Sequence, residues 1–195
     1  MYDKVFSEFE IESLGLKQTR DFPLESDDKH TVVECVGSLD EEMDVRIITK
    51  KCKGVESVVG AKGTGRGKLK LTAHIPWSVY AKAYGLEQPT LADGVYAYGK
   101  ASRHAKVSVT VSVSDESGAR KLKAYPNCIV TKGKTSKITN GETEVAETEL
   151  ELDVNPDSYG NGVYEHIIVD GVNTDISANT WMESFDPAKM QKSGV

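Results

Sequence analysis

Residues 107–113 read VSVTVSV, and this stretch decides the fold class. Four valines alternate with three hydroxyl residues, which is the two-residue period of a β-strand with one buried face. The sequence DESG at 115–118 is a turn signal, so residues 119–125 are predicted to return as the partner strand. The chain therefore contains at least one antiparallel hairpin.

Further strands are predicted on the N-terminal side of this hairpin. Residues 68–75 alternate apolar and polar side chains. Residues 31–36 and 45–49 are rich in β-formers and flank an acidic turn expected at 40–42. Short strands about ten residues apart, without helices between them, are typical of an antiparallel β-sandwich or barrel. The predicted fold class is mainly β.

One short flanking helix is predicted at about 76–84, where a proline begins the stretch and a glycine follows it. Trp77, Tyr80 and Tyr84 lie at helical spacing, and their common face is predicted to pack on the sheet as core. An aromatic ligand platform is the alternative for this face. A second short helix near 180–185 has a weaker pattern.

Composition excludes several classes of protein. The chain has 195 residues, 38% hydrophobic and 28% charged, so it is neither a membrane protein nor disordered by composition. Its beginning has no basic segment followed by an apolar one, and no apolar run approaches the roughly 18 residues of a membrane helix. We therefore expect no signal peptide and no membrane insertion. Three cysteines without a CxxC pair indicate a reducing cytoplasm rather than a disulfide scaffold.

Charge is arranged in blocks around a net charge of −6. Residues 1–44 hold thirteen acids and four bases, and residues 138–188 hold twelve acids and no lysine or arginine. Between them, residues 50–70 hold seven bases and one acid. Either the blocks are incidental, or an acidic face of one copy meets a basic face of the next. A flexible, Gly-rich basic loop is expected at 50–68, with candidate inter-subunit contacts at Lys50, Lys51, Lys53, Lys62, Arg66 and Lys68.

An acidic row is the most informative charged pattern. Glu147, Glu149, Glu151 and Asp153 alternate with other residues, so in a strand they share one face at a spacing of about 6.7 Å. Neighbouring carboxylates at that spacing repel by about 0.6 kcal/mol in water, so the row gives no folding advantage by itself. It is either a solvated face that prevents aggregation, or a surface that pairs with basic blocks or repels a polyanion.

Motifs for chemistry are absent from the sequence. The Gly-rich stretch at 60–68 fails the phosphate-loop pattern and leads into a predicted strand rather than a helix. The DVNPDS stretch at 153–158 begins like a calcium loop but lacks its glycine and its final glutamate, and a turn capped by its own side chains is expected there. The four histidines and three cysteines lie in no catalytic or metal-binding spacing. We predict no catalytic residue, no cofactor and no metal, and hence no enzyme.

Several runs together resemble a known family. They are KKCKG at 50–54 with the Gly-rich stretch after it, KLKLTAHI at 68–75, PWSVYAKAYG at 76–85, DGVYAYG at 93–99, AYPNCIV at 124–130 and GVYEH at 162–166. This pattern resembles the major tail proteins, or tail tube proteins, of long-tailed, non-contractile bacteriophages and prophages of Gram-positive hosts. The likeness spans roughly residues 30–170.

The resemblance implies a structural virion protein without catalytic residues or cofactors. Members of the family form a β-sandwich with one flanking helix and assemble as hexameric rings that stack into a hollow tube, through which DNA is ejected. Implied partners are other copies, a tape measure protein inside the tube, and terminator and distal tail proteins at its ends. The implied location is the virion tail, assembled in the host cytoplasm.

If the chain is a tail tube protein, residues 1–195 form one tail-tube domain. This domain has an N-terminal arm at 1–28, the loop at 50–68 and a C-terminal arm at 176–195. The N-terminal arm and the loop are expected to be mobile in the monomer and to make inter-ring contacts. Deletion of residues 1–20 is expected to leave a folded monomer that cannot polymerise. The acidic row is the candidate lumen face, because carboxylates repel DNA phosphates.

Other functions remain open at this point. The chain could form a single terminator or adaptor ring at a tail end, or the inner tube of a contractile system with a sheath. A carbohydrate-binding β-sandwich would use Trp77, Tyr80 and Trp181 as a stacking platform, and a packed Trp77 argues against it.

Overall fold

The computed structural model describes residues 5–19, 29–136, 140–141, 145–168 and 176–192. Within these residues the chain is mainly β, with eight strands in one antiparallel sheet, which confirms the predicted fold class. The strands are β1 (Glu10–Gln18), β2 (Thr31–Val33), β3 (Val36–Cys52), β4 (Val55–Ala73), β5 (Lys106–Ser114), β6 (Arg120–Val130), β7 (Thr148–Val154) and β8 (Tyr164–Ile168). The helices are α1 (Trp77–Ala83), α2 (Ala178–Ser184) and a 3-10 turn at Pro187–Met190.

The sheet has the order β2-β1-β5-β6-β7-β4-β3, and β8 pairs with β6 beside this path. Strand β6 is the branch point, because its first residues pair with β8 and its last three pair with β7. Side chains of β1 and β5 share one hydrophobic core with those of β4 and β7, so the sheet folds over on itself. Three fully buried members show this packing: Leu14 of β1, Leu71 of β4 and Val109 of β5.

Strand β5 is buried on both faces, although its alternation predicted one buried face. The valines enter the main core, and the hydroxyl side lies under α2. There Thr110 donates a hydrogen bond to the Met182 carbonyl at 2.9 Å, and Ser108 pairs with the His30 ring at 3.0 Å. Because the buried hydroxyl groups of Ser108, Thr110 and Ser112 have polar partners, the strand tolerates burial of its polar face.

Helix α1 ends as its sequence predicts. Gly85 has a φ of 58°, and its amide donates to the Lys82 carbonyl. The next amide, of Leu86, donates to the Ala81 carbonyl at 2.9 Å, which is the Schellman arrangement. A Cβ at Gly85 would lie 2.2 Å from the Arg103 carbonyl oxygen, so the position requires glycine on two grounds.

The loop predicted at 50–68 is wrong, and so is the acidic turn at 40–42. Strands β3 and β4 run through both stretches as one long hairpin. Its turn is Lys53-Gly54, with φ values of 50° and 81°, the positive pair that a two-residue type I′ turn requires. The glycines and lysines of this stretch suggested a loop, but β-branched residues on both strands and this turn favour the hairpin.

The arms at 1–28 and 176–195 are also corrected in their described parts. Residues 10–18 form β1, which pairs with β5 and carries Leu14 and Leu16 into the core. Deletion of residues 1–20 would therefore remove an interior strand rather than a free arm. Helix α2 buries Trp181 and Met182 in a second cluster against β6.

Candidate functional site

The outer half of the β3–β4 hairpin is a two-stranded ribbon, and we call residues 45–63 the arm. Eight residues on the β3 side give it a length of about 27 Å. Every residue of the arm except Gly60 is exposed. A Cβ added at Gly54, Gly60 or Gly63 would meet nothing within 4 Å. The arm therefore extends away from the core among the described residues.

A wide irregularity separates the arm from the core part of the hairpin. Between Met43 and Val45, β4 contains two more residues than β3 does. Here Thr64 donates a hydrogen bond to the Asp44 carbonyl, and Gly65 adopts a φ of 71°. A Cβ at Gly65 would lie 2.6 Å from the Gly160 carbonyl oxygen, so the base of the arm is fixed by close backbone packing.

The arm exposes large apolar side chains that have no cover. Val55 and Val58 are each 68% exposed, and Ile47 is 62% exposed. The others are Val45, Ile48 and Val59. An isolated two-stranded ribbon is marginal in water, and contiguous exposed apolar side chains mark interaction sites. The arm is thus the strongest candidate for a contact surface in the described part of the chain.

Register divides the arm into two faces of different character. Ile47 lies opposite Ala61, and Thr49 lies opposite Val58, which makes one face mostly apolar. On the other face Arg46 lies directly opposite Lys62. Like charges in opposed positions repel, and no acid lies on this face of the arm. The second face is defined here as the basic face; it consists of Arg46, Ile48, Lys50, Cys52, Val55, Ser57, Gly60 and Lys62.

Both ends of the main strand order are open among the described residues. Strand β3 pairs only with β4, so its outer edge is free over 17 residues. At the other border β2 covers only Leu14–Leu16 of β1 and leaves the start of that strand without a neighbour on this side. Long free edges are unusual in monomeric proteins because they can template pairing with another chain.

The acidic row lies beside lysines of the same chain. Lys70 is opposite Glu151, and Lys68 is opposite Asp153. Lys132 Nζ lies 2.6 Å from Glu149, and the same ammonium group also contacts Glu151. On the other side of β4, Lys70 lies opposite Asp40 of β3, and Lys68 lies opposite Glu42 of β3. The bases of β4 therefore lie between a row of acids on β3 and a row of acids on β7.

The net charge of this face is −2, so the acidic row is mostly compensated, although the sequence alone suggests that it is not. The groups counted are the carboxylates of Asp40, Glu42, Glu149, Glu151 and Asp153 and the ammonium groups of Lys68, Lys70 and Lys132. Hydrogen bonds from Lys132 and Lys70 lower the pKa of Glu149. Glu147 precedes β7, and its carboxylate packs against Gly37, where a Cβ would lie 2.1 Å from Oε2. All four acids of the row lie on or next to β7.

The predicted basic contacts lie in three places. Lys50, Lys51, Lys53 and Lys62 lie on the arm, and Lys51 is 4.0 Å from Glu56. Arg66 lies in the irregularity at the base of the arm, and Lys68 belongs to the charged face above.

The aromatic face of α1 is only partly core. Tyr84 is 1% exposed, and burial raises its pKa to about 12. Tyr80 is buried as well, but Trp77 is 51% exposed and meets Tyr96 edge-on at 5.2 Å. The expectation of a packed Trp77 is therefore wrong. Trp181 belongs to α2 and is buried in the second cluster, so the stacking platform of Trp77, Tyr80 and Trp181 is not assembled.

A buried lysine that the sequence does not single out connects several elements. The Lys123 ammonium group contacts Glu8 and Glu41 at 2.9 Å and Glu165 at 3.4 Å. Burial alone would lower the pKa of Lys123, but the carboxylates of Glu41 and Glu8 outweigh burial and raise it. The one sequence signal for this site is Lys123 itself, a charged residue at an inward position of the strand predicted at 119–125.

Other site classes find no support among the described residues. No group of three or more His, Cys, Asp or Glu side chains in these ranges could hold a metal ion. Asp157 accepts hydrogen bonds from the amides of Tyr159 and Asn161, so the stretch at 153–158 contains a self-capped turn. No helix in the described ranges is both long and apolar enough to cross a membrane.

Comparisons with known proteins give little. No family model matches the chain, and no curated protein matches it. Among solved structures, the cryo-EM structure of the anti-feeding prophage cap (AFP tube terminating cap) is similar with a TM-score of 0.42 and 9% identity. The aligned region covers 85% of this chain and 97% of that one. A TM-score this low does not establish a common fold, and the likeness carries no weight for function.

Proposed function

We propose that the chain is a structural subunit of a non-contractile phage tail, which assembles with identical copies into hexameric rings that stack into a hollow tail tube. The observation that carries the proposal is the arm together with the free edge of β3. The arm exposes apolar side chains, and within the described residues the edge of β3 has unpaired backbone groups. Another copy of the chain can cover the side chains and pair with the edge. The resemblance of the sequence to major tail proteins supplies the ring and tube architecture.

Physical requirements of a tube agree with this surface. A head-to-tail contact, in which one border of the sheet meets the opposite border of the next copy, closes into a ring when its rotation permits. Closure removes the free edges that would otherwise promote aggregation. The arm adds a contact beyond the sheet and supports stacking of one ring on the next.

The lumen assignment of the acidic row remains part of the proposal. A net negative wall gives a passing duplex no binding minimum, because phosphates are repelled. The lysines beside the row make the wall only mildly negative, which is sufficient for passage without adhesion. In a virion, the uncharged replacements Glu147→Gln, Glu149→Gln, Glu151→Gln and Asp153→Asn, which place no lysine opposite Lys68 or Lys70, should hinder DNA ejection and leave tube assembly intact. Normal infectivity of that variant would contradict the lumen assignment.

The test of the proposed function is the assembly state of the purified full-length chain. The protein is concentrated at low ionic strength, where attraction between charged surfaces is least screened, and is examined by negative-stain microscopy and sedimentation. We expect hollow tubes built from stacked rings. Single rings that never stack would contradict the tube and favour the terminator or adaptor function, and monodisperse monomers at every concentration would contradict self-assembly.

A further inference from the structure

A groove with excess negative charge lies at the border of the sheet opposite to the arm. It has a volume of about 730 Å³, and its walls come from β1, β2, α2 and the start of β6. Two of its acids are neutralised locally: Glu12 by Arg120 at 2.7 Å and Glu183 by Lys29 at 2.8 Å. Glu10 and Glu34 are exposed and have no ion-pair partner among the described residues.

We propose that the basic face of the arm docks in this acidic groove of a neighbouring copy. The inference rests on the proposed self-assembly and identifies the surface that receives the arm. Arg46 and Lys62 face each other across the ribbon without an acid to separate them, so the arm itself is destabilised until carboxylates approach. Glu10 and Glu34 supply two carboxylates that no basic side chain of the described residues neutralises.

Apolar side chains complement one another in the same contact. Ile48 lies beside Arg46 on the basic face and is 46% exposed. Val32 lies in the groove next to Glu34 and is 41% exposed. Each surface therefore combines charge with exposed aliphatic surface, and docking would bury Ile48 and Val32 while pairing the charges.

The receiving groove must belong to another copy. The arm extends β3 and β4 at one end of the strand order, and the groove is built on β2 and β1 at the other end. The arm is exposed in its own chain, so its own groove is not its partner in the monomer. A donor surface at one border and an acceptor surface at the other make a contact that repeats from copy to copy.

The contact is too small to act alone. A ribbon about 27 Å long and about 10 Å wide covers roughly 270 Å² per partner, against roughly 800 Å² in stable complexes. One docked arm therefore does not hold two copies together, and many arms in a closed assembly act in concert. Nucleic acid is the other occupant that a basic face attracts, but phosphates offer no cover for Ile48.

Charge reversal with rescue tests the contact in the full-length chain. Arg46→Glu with Lys62→Glu should reduce the sedimenting, assembled fraction at least tenfold. Glu10→Lys with Glu34→Lys, added to the same chain, should restore it to within about twofold of the original. The matched control is Lys100→Glu with Arg103→Glu, two exposed bases outside the arm and the groove, which changes the net charge equally and should assemble normally.

The outcomes separate this inference from the proposed function. If the original chain does not assemble, the proposed function fails. If the original chain assembles and the Arg46/Lys62 reversal assembles equally well, or if the rescue fails, only the docking inference is overturned. Assembly of the original chain only when double-stranded DNA is added also overturns it. Circular dichroism checks folding, and Arg46→Gln with Lys62→Gln replaces the reversal if that variant does not fold.

Discussion

The ammonium group of Lys123 lies 2.9 Å from the carboxylate of Glu41, and the two residues join β6 to β3 in a site where Lys123 is only 6% exposed. The Tyr125 hydroxyl group donates to the same carboxylate oxygen at 2.9 Å. Glu8 and Glu165 bring two further carboxylates to the lysine. One cation therefore ties together the flank of β1 and the strands β3, β6 and β8.

Replacement of this cation should destabilise the fold strongly. Lys123→Met leaves Glu41 buried without its cation, and we expect a loss of about 3 kcal/mol in the free energy of unfolding at pH 7. Removal of one partner of a buried ion pair usually costs about 3–5 kcal/mol, and we expect the lower value because Glu8 and Glu165 are partly solvated. Urea denaturation measures it. Lys121→Met is the matched control, because Lys121 contacts only Glu8 among these acids, and a loss equal to that of Lys123→Met would contradict the buried site.

The same site has a predictable dependence on pH. Lys123 and Lys121 lower the pKa of Glu8 against the opposing effect of burial. The contribution of Glu8 is thus present above its unfolded pKa, near 4.5, and is lost as pH falls through its lower folded pKa. The difference in unfolding free energy between the original chain and Lys123→Met should therefore shrink in acid. A constant difference down to pH 2 would contradict the pairing with Glu8.

His30 should make stability depend on pH in a different window. Burial, aided by the charge of Lys17, lowers the pKa of His30 to about 4, although its hydrogen bond to the Glu183 carbonyl opposes this shift. The unfolded chain binds the proton more tightly, so the contribution is complete above pH 6.5 and is lost as pH falls towards 4. Between pH 7.5 and pH 5.5 it amounts to about 1.4 kcal/mol.

Comparison with His30→Asn isolates this contribution. The original chain should lose about 1.4 kcal/mol more than the variant between the two pH values, because all other titrating groups are common to both. Thermal or urea unfolding at each pH gives the difference. Equal losses in the two proteins would show that His30 keeps an ordinary pKa in the folded state.

Exposure predicts unequal roles for two aromatic residues of the predicted helix face. Tyr84→Ala should cost about 3–5 kcal/mol, because a fully buried ring leaves a cavity. Trp77→Ala should cost less than about 1 kcal/mol, because the ring is half exposed and loses only its contacts with the rings of Tyr80 and Tyr96 at one side. Unfolding free energies from urea curves decide between them. A cost of Trp77→Ala as large as that of Tyr84→Ala would restore the core assignment for the tryptophan.

The sequence predicts those elements whose signals are local. Alternation identifies β5, and Gly85 marks the end of α1 because only local backbone geometry is involved. Burial of the Thr110 side of β5 was not predictable, because the covering residue Met182 lies 72 positions away. Pairing of Glu149 with Lys132 likewise depends on which strands become neighbours.

The arm shows why a charged and Gly-rich stretch misleads. Its glycines and lysines are typical of loops, and they outweighed the apolar signal of Ile47 and Val58. Lys53-Gly54 is a weaker turn signal than Asn-Gly, so the sequence does not predict the hairpin. The opposition of Arg46 and Lys62 follows from register alone, which no single-sequence pattern provides.

The most direct measurement compares the full-length chain with a variant in which residues 45–63 are replaced by Asn-Gly. The remaining hairpin still pairs Met43 with Gly67, so the core of this variant should stay folded by circular dichroism. Under conditions in which the full-length chain forms tubes, the variant should remain monomeric in sedimentation and show no tubes by negative-stain microscopy. Tubes of normal length and abundance from the armless variant would contradict the claim that the arm completes a neighbouring copy.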